Sequence, residues 1–371
     1  MAKKTEVMKL SVKTTKFQEM VTRAIKGAGN KKVLPITQML AIRLEKGVLS
    51  LITTDATNTL YIRETGVEGS DFYAVVPVDQ FSRLVSRTTS DSITLKVNKT
   101  VLEFTGNGKY SIPIQFDDDD MTVVQFPDPL EEVVFDPNDT IEINNSTITK
   151  ILNFIKPALA VTMENPFYTG YYAGEKVIAT DTFLINILDV DLFHTPKLIS
   201  PQVMELLSVM TAEKINVDLQ GNIMVFGTPD CTVYGRDLEG IEEYAVDDIL
   251  EFAQIGFDSM CKLPKNALLQ LLDRLSLFVM DYDNGGIYLT FTKDGMQVSS
   301  KSSSGVEVIP YTESKNFQEF SCLIEVGLLT KQVKTQIGET VELWYGVDSA
   351  IKMVDGNVTQ IIGLLEENDT E

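Results

Sequence analysis

The sequence is poor in the residues that build metal and redox sites. It contains one histidine, His194, and three cysteines, Cys231, Cys261 and Cys322. A single imidazole argues against a histidine-based zinc cluster or catalytic triad. The cysteines are scattered and odd in number, so they predict neither a disulfide framework nor a metal-binding spacing. We therefore expect no metal and no cofactor, and a reducing, cytoplasmic location.

Long apolar runs are also missing. No stretch of about 18 apolar residues occurs, so no membrane span is predicted. The first residues, Met-Ala-Lys-Lys-Thr-Glu, lack the apolar core of a secretory signal.

What the sequence does contain is a long internal repeat. A strand-like segment, which ends in Thr-Asp in the first two copies, is followed each time by a strand and a helix signal. These later anchors are Val75-Val76-Pro77, Ile199-Ser200-Pro201 and Leu323-Ile324-Glu325, spaced 124 residues apart both times. Solenoid repeats have periods of roughly 20–50 residues, so each copy is a whole domain. The predicted domains are residues 1–130, 131–256 and 257–371, and acidic segments near Phe126-Pro127-Asp128-Pro129 and near Asp247-Asp248 are interpreted as the boundary regions.

Each copy has the same internal pattern. An amphipathic helix comes first, clearest over 14–29, where Phe17, Met20, Val21 and Ala24 form one apolar stripe. A second helix follows later in each copy, and the segments around the helices alternate with a period of two, as strands with one buried face do. The predicted class is α+β, with two helices packed on an antiparallel sheet of about eight strands in each domain.

Charge is unevenly distributed along the chain. The net charge of −21, taken alone, argues against nucleic acid as a partner. The six predicted helix segments nevertheless hold 15 Lys or Arg against 6 Asp or Glu, a net +9, which leaves −30 for the rest. One interpretation is that these are ordinary solvated helix faces. The other is that the helices line one surface that faces a polyanion, while the acidic exterior repels it.

Ring geometry makes the second interpretation quantitative. If two such chains closed into a ring with all helices inward, twelve helices at about 9–10 Å spacing would have their axes on a circle roughly 36 Å across. Subtracting one helix diameter of about 10 Å leaves a bore of roughly 26 Å. Duplex DNA, about 20 Å wide, would pass through with loose, phosphate-directed contacts.

The ordered set of motifs resembles the bacterial sliding clamps, the β subunit family of DNA polymerase III. The resemblance covers essentially the whole chain and includes Lys32-Val33-Leu34-Pro35-Ile36, Thr54-Asp55, Val76-Pro77, Phe126-Pro127 and Ala179-Thr180-Asp181. It implies three clamp-type domains that form half of a six-domain ring, a head-to-tail homodimer. It also implies double-stranded DNA, a DNA polymerase and a clamp-loader ATPase as partners. The departures from the family pattern would suit a phage or plasmid member.

Nine basic residues are candidates for DNA contact. Lys31 and Lys32 are implied by the resemblance, because the family has a basic residue at the bore there. The others are inferred from helix faces alone, where plain solvated charges are the alternative. They are Arg23, Lys26, Arg83, Arg87, Lys150, Lys331 and Lys334.

The resemblance also implies a hydrophobic pocket for partner peptides between the second and third domains. Carried over by position, its residues are Thr180, Thr182, Phe183, Leu184, Ile185, Tyr244, Val246, Ile362, Gly363, Leu364 and Leu365. The family's glycine-histidine-arginine-leucine is replaced by Thr182 to Ile185, and its methionine-proline-methionine-arginine by Ile362 to Leu365. The site stays apolar, as a peptide groove should, but its usual basic residues are gone. Ordinary strand core is the alternative for any one of these residues.

Two other functions stay open at this point. The chain could be an acidic scaffold that recruits proteins without encircling DNA. It could also be an enzyme with paired carboxylates in an inter-domain cleft, since Asp55 and Asp181 recur. That recurrence favours a structural turn, and the overall prediction is a non-enzymatic processivity clamp.

Overall fold

The structure is a computed structural model, which describes residues 9–29, 34–117, 122–133, 140–161, 166–279, 285–301 and 305–366. One order of elements occurs three times: strand, helix, four strands (five in the third copy), helix, three strands. The first copy has β1 (Lys9–Lys13), α1 (Thr14–Ala24), β2 (Met39–Glu45), β3 (Val48–Thr54), β4 (Thr59–Thr65), β5 (Phe72–Pro77), α2 (Val78–Ser86), β6 (Ser92–Asn98), β7 (Val101–Thr105) and β8 (Lys109–Pro113).

The second and third copies repeat that order. The second has β9 (Ile141–Asn144), α3 (Asn145–Lys150), β10 (Tyr171–Ala173), β11 (Val177–Thr180), β12 (Leu184–Leu188), β13 (Lys197–Ile199), α4 (Pro201–Leu207), β14 (Lys214–Gln220), β15 (Ile223–Thr228) and β16 (Cys231–Arg236), followed by α5 (Val246–Phe252). The third has β17 (Ser259–Pro264), α6 (Lys265–Ser276), β18 (Gly286–Phe291), β19 (Met296–Ser300), β20 (Val306–Ile309), β21 (Glu313–Lys315), β22 (Phe320–Glu325), α7 (Val326–Thr335), β23 (Thr340–Val347), β24 (Ala350–Asp355) and β25 (Val358–Gly363). The α+β class and the threefold repeat are confirmed.

The first helix of each copy follows its predicted apolar stripe. In α1 the stripe of Phe17, Met20, Val21 and Ala24 is buried. In the second copy, Pro157 disturbs the helix, because proline cannot donate a backbone hydrogen bond and its ring crowds the preceding turn. There α3 widens into a π-helical turn over Ile151–Ile155 and tightens into a 3₁₀ turn over Lys156–Ala158.

The acidic segment after the second copy is a helix, α5, where the sequence predicted only a boundary. Asp247 and Asp248 lie in its first turn, where carboxylates favour the positive end of the helix dipole. The chain divides into two compact units, one of Met1–Ile148 with Gln202–Asp237 and one of Thr149–Pro201 with Leu238–Glu371. The three-domain division at 130 and 256 stays a prediction.

The strands form four antiparallel sheets, two in each unit. The first unit has a four-stranded sheet, β1-β6-β7-β8, and an eight-stranded sheet, β5-β2-β3-β4-β16-β15-β14-β9. The second has a nine-stranded sheet, β13-β10-β11-β12-β25-β24-β23-β17-β21, and a four-stranded sheet, β20-β19-β18-β22. Both long sheets cross from one copy to the next. Leu60 of β4 pairs with Val233 of β16, and Leu184 of β12 pairs with Ile362 of β25.

The helices of the first copy pack against both of its sheets. Phe17 of α1 meets Phe81 of α2 edge to face, with ring centroids 6.0 Å apart. Phe81 in turn meets Phe104 of β7 at 6.4 Å. All three rings are fully buried, which closes this core with the geometry that aromatic pairs prefer.

A buried amide network joins the second and third copies inside the second unit. Asn186 of β12 exchanges two 3.0 Å hydrogen bonds with Gln332 of α7. Gln360 of β25 donates to the side chains of Gln332 and Thr335. Asn186, Gln332 and Gln360 are each 0% exposed, so water cannot replace a lost partner.

We expect Gln332→Leu to lower the free energy of unfolding by ~2–3 kcal/mol, because it removes two hydrogen bonds of the buried Asn186 amide and one of the buried Gln360 amide. Urea unfolding followed by circular dichroism would measure the change. Gln254→Leu is the control, since Gln254 is exposed. Equal stability of the two variants would contradict an energetic role for the network.

Candidate functional site

The structure separates the predicted basic residues into exposed and engaged groups. Lys26, Lys331 and Lys334 are exposed, and none makes an ion pair within the described part of the chain. Lys150 is half-buried and donates to Asn357 Oδ1 at 3.1 Å. Lys31 and Lys32 lie outside the described residues.

Arg23 is engaged within the protein. Its Nη1 lies 2.7 Å from Asp230 Oδ2, its Nε donates to the Val209 carbonyl at 3.0 Å, and its side chain is only 11% exposed. Burial alone would raise the pKa of Asp230, but hydrogen bonds from Arg23 and Thr228 outweigh it and lower that pKa. These contacts occupy Arg23 within the protein and argue against its predicted role in DNA contact. Helix periodicity could not indicate this, because the partner Asp230 lies far along the chain.

Arg83 and Arg87 line a cavity of about 500 Å³ beside β8. Arg83 Nε pairs with Asp79 at 2.8 Å, one helical turn earlier. Tyr110 of β8 forms another wall and is 46% exposed. These two arginines thus sit next to a sheet edge, a placement that the helix pattern could not indicate.

The two recurring aspartates are turn residues. Asp55 Oδ1 accepts hydrogen bonds from the backbone N–H groups of Thr57 and Asn58, at 2.9 and 2.7 Å. Asp181 Oδ1 does the same for Phe183 and Leu184, at 3.0 and 2.7 Å. The next residue has a positive φ in both turns, 80° at Ala56 and 78° at Thr182. Each carboxylate closes its own turn, and nothing here favours the paired-carboxylate enzyme.

One part of the predicted peptide pocket forms around the second of these turns. Thr180 and Ile185 are cross-strand partners, and Ile185 pairs in turn with Ile361 of β25. Gly363 donates its N–H to the Phe183 carbonyl at 2.7 Å. The Phe183 side chain is 60% exposed, which is unusual for a large aromatic ring.

Leu184 and Ile362, by contrast, are fully buried. For this pair the strand-core interpretation applies.

Tyr244 and Val246, which the resemblance assigns to the pocket, belong with Ile185 to one cluster. Ile185 and Val246 pack half-buried against the cluster that contains Tyr244. Tyr244 donates to the Ile178 carbonyl at 3.3 Å, and burial raises its pKa. Its ring lies 5.1 Å from that of Tyr168, so core packing accounts for the position of both tyrosines.

Leu364 and Leu365 line a separate cavity of about 740 Å³. Their backbone N–H groups are held by the carbonyls of Ser349 and Leu323, at 2.9 and 2.8 Å. The other lining residues, which the sequence reasoning did not identify, are Phe320, Ser321, Cys322, Leu323, Asp348, Ser349 and Glu366. They lie on β22, on the β23–β24 turn and, for Glu366, just after β25. Only a known register for β25 could have indicated them.

The described residues offer little support for a metal site or for a cysteine nucleophile. They contain no group of three or more His, Cys, Asp or Glu placed to hold a metal ion. All three cysteines are buried and unpaired, and burial raises each thiol pKa to about 12, which makes them poor nucleophiles at neutral pH. None of the described helices is long and apolar enough to cross a bilayer.

Comparison with known proteins is informative only at the level of structure. No protein-family model matches the chain, and no curated protein matches its sequence. The DNA polymerase sliding clamp from Bacillus subtilis matches with a TM-score of 0.83 at 14% identity, covering 98% of this chain and 100% of that one. The β subunit from the DNA polymerase of Streptococcus pyogenes matches at 0.84 and 16% identity, covering 97% and 100%. The DNA polymerase III β subunit from Thermotoga maritima matches at 0.81 and 17%, with the same coverage. The expected resemblance in fold is confirmed over the whole chain.

We expect Arg23→Met to lower the free energy of unfolding at pH 7 by ~1–2 kcal/mol, after allowing for solvent screening at the partly exposed Asp230. Because the folded pKa of Asp230 lies below its usual 3.8, the stabilisation is present above that pH and is lost as pH falls through the folded pKa. In urea titrations, the difference in stability between the two proteins should therefore be smaller at pH 3 than at pH 7.

The matched control for Arg23→Met is Arg83→Met, whose ion pair is exposed. It should change stability by no more than ~0.5 kcal/mol at either pH. A loss of stability in Arg23→Met that is the same at both pH values would mean that the Asp230 contact is not the cause.

Proposed function

We propose that this chain, which has the fold of the bacterial sliding clamps, is itself a DNA sliding clamp. Two copies would form a head-to-tail ring around duplex DNA and tether a polymerase, after loading by an ATP-driven clamp loader. The chain would act as a scaffold and not as an enzyme. The observation that carries the proposal is the pattern of sheet pairing between successive copies.

That pattern leaves one strand in the third copy and one in the first without the cross-copy partner that the equivalent strands have. β4 of the first copy pairs with β16, the last strand of the second, and β12 pairs with β25 in the same way. The equivalent strands left over are β20 in the third copy and β8 in the first, which have no outer partner in the described part of the chain. Pairing β20 of one chain with β8 of another would repeat the same junction, and two such pairings would close six domains.

The open edges carry exposed apolar side chains. Val306 and Val308 of β20 are 53% and 56% exposed, and Tyr110 of β8 is 46% exposed. Leu277, just after α6, is 79% exposed. Neighbouring Phe278 lies beside Gly305, which precedes β20. Monomeric proteins rarely leave edges in this state, because they invite pairing with another chain.

For DNA contact the proposal relies on the exposed basic residues Lys26, Lys331 and Lys334, with Lys150 as a weaker candidate. Lys31 and Lys32 stay predictions that rest on the resemblance alone. Arg83 and Arg87 fit the edge of β8 better than a DNA-facing surface. Contacts of this kind would be with phosphates and independent of sequence.

The partner site would be formed by the exposed Phe183, the half-buried Ile185 and Val246, and the cavity under Leu364 and Leu365. An apolar groove of this kind suits a short peptide from a polymerase or a loader. The cytoplasmic location expected from the cysteines also stays a prediction.

The dimer is tested by Leu277→Asp. The wild-type chain should sediment with about twice the monomer mass of 41.3 kDa, and the variant with the monomer mass, because a carboxylate would be buried at the apolar interface. Ile337→Asp is the matched control, since Ile337 is 75% exposed but lies on no open edge. A wild-type monomer, or a dimer unaffected by Leu277→Asp, would contradict the proposed interface.

Encirclement is tested on a nicked circular plasmid by gel filtration. A ring should stay on the circle, slide off once the plasmid is linearised, and be retained again when the ends carry bulky blocks. A protein that only binds the DNA surface would remain on the linear form. The triple variant Lys26→Glu, Lys331→Glu and Lys334→Glu should reduce retention on the circle, because three attractions to phosphate become repulsions.

Lys46→Glu serves as the charge control for that experiment, because Lys46 is highly exposed and lies on none of the helices. Equal retention on open linear and circular DNA would argue for the acidic recruitment scaffold.

A further inference from the structure

We propose that the peptide site of this chain selects a cationic partner: an apolar segment flanked by lysine or arginine. The inference rests on the proposed function, because it takes the groove around Phe183 and the neighbouring cavity as the place where partners dock. It adds the chemical class of the partner.

The groove and the cavity form a connected stretch of the second unit. Phe183 and Gly363 are joined by a backbone hydrogen bond, and the chain continues directly from Gly363 into Leu364 and Leu365, which line the cavity. In the other direction, Ile185 and Val246 of α5 pack against one buried cluster. A peptide that covers the exposed Phe183 ring can therefore reach both the cavity and α5.

The charged residues that line the cavity are negative. The two ionised residues that line the cavity, Asp348 and Glu366, are both exposed acids. Asp181 lies in the turn that presents Phe183. Glu325 lies at the end of β22, where burial first and then the charge of Asp181 raise its pKa, while Lys331 lowers it. No basic residue is among the lining residues of this cavity.

The segment that leads into α5 is more acidic still. From residue 237 to 251 the sequence has seven carboxylates and no lysine or arginine. These carboxylates are Asp237, Glu239, Glu242, Glu243, Asp247, Asp248 and Glu251. Asp247 is close enough to the aromatic cluster to contribute, after burial and Glu175, to the raised pKa of Tyr172.

One lysine packs beside the end of α5, but its ammonium group already contacts two aromatic rings and a backbone carbonyl. Lys352 Nζ lies 4.5 Å from the ring centroid of Phe257 and 5.6 Å from that of Trp344, and it donates to the Ala253 carbonyl at 3.4 Å. It is also partly buried, and burial lowers its pKa. Lys352 is therefore poorly placed to receive an acidic peptide.

This arrangement gives an apolar site inside a negative field. The apolar surfaces provide the area to be covered, and the surrounding carboxylates discriminate among peptides that could cover it. Like charges brought together across an interface are rejected, and opposite charges speed the encounter in a salt-dependent way. An acidic or phosphorylated segment would be disfavoured, and one with basic flanks would be favoured.

The experiment is a selection from a random decapeptide library displayed on phage, followed by affinity measurements on the selected peptides by fluorescence anisotropy. We expect selected peptides to combine apolar residues with lysine or arginine. Replacing those basic residues by glutamate should weaken binding by about 10-fold or more at low salt, with a smaller ratio at high salt. Phe183→Ala, at an exposed position, should weaken all of these peptides.

A charge-neutralised variant tests the source of the preference. Asp247→Asn, Asp248→Asn, Asp348→Asn and Glu366→Gln together should reduce the basic-over-acidic ratio to about 3-fold or less. The matched control neutralises four exposed carboxylates of the first unit, Glu45→Gln, Glu68→Gln, Asp91→Asn and Glu213→Gln, and should keep the ratio.

The failures can be told apart. Selected peptides that are acidic or neutral, yet still lost with Phe183→Ala, would overturn the charge preference and leave the docking site standing. A ratio that survives the first set of substitutions would also overturn it. A selection that yields no peptide sensitive to Phe183→Ala would contradict the docking site itself, and the charge preference with it.

Discussion

The rest of the structure depends on one interaction between successive copies. The last strand of a copy pairs antiparallel with the third strand after the first helix of the copy before it. It occurs at β4–β16 and at β12–β25, and it turns separate four-stranded sheets into long ones. Backbone hydrogen bonds of this kind fix register, because a slip by one residue would turn every side chain to the wrong face. Leu184 and Ile362 are fully buried at one such junction, so packing enforces the same register. The residues proposed to form the peptide groove lie beside that junction.

The repeat and the helices were predictable because they depend on local periodicity. The buried stripe of α1 and the helix that begins after Pro264 follow directly from residue spacing. The Asp55 and Asp181 turns were predictable for a different reason: one residue type recurs at one place in successive copies, which indicates geometry before chemistry. The same logic predicted the threefold repeat of elements, although the chain is only 14–17% identical to the solved clamps that it matches.

The unpredicted features depend on contacts between residues that are far apart in the chain. Arg23 is on the polar face of its helix by spacing, yet it is held by Asp230, more than 200 residues later. The amide network of Asn186, Gln332 and Gln360 looks like three ordinary polar residues in sequence. The helix α5 was missed because its acidic start was interpreted as a solvated boundary, whereas carboxylates stabilise the first turn of a helix. Which strand edges stay open follows from topology, which no single segment encodes.

The open edges of β8 and β20 have a consequence for how copies of the chain associate. The two edges are different surfaces. Each molecule that bound through one edge would therefore leave its other edge free to bind the next molecule. Association of this head-to-tail kind ends only when the rotation from one subunit to the next brings the last edge back to the first. A substitution that changed that rotation without weakening the pairing would convert a closed assembly into an open-ended filament. In the proposed ring, the angle between subunits, as much as the strength of their contact, would therefore determine whether the assembly closes.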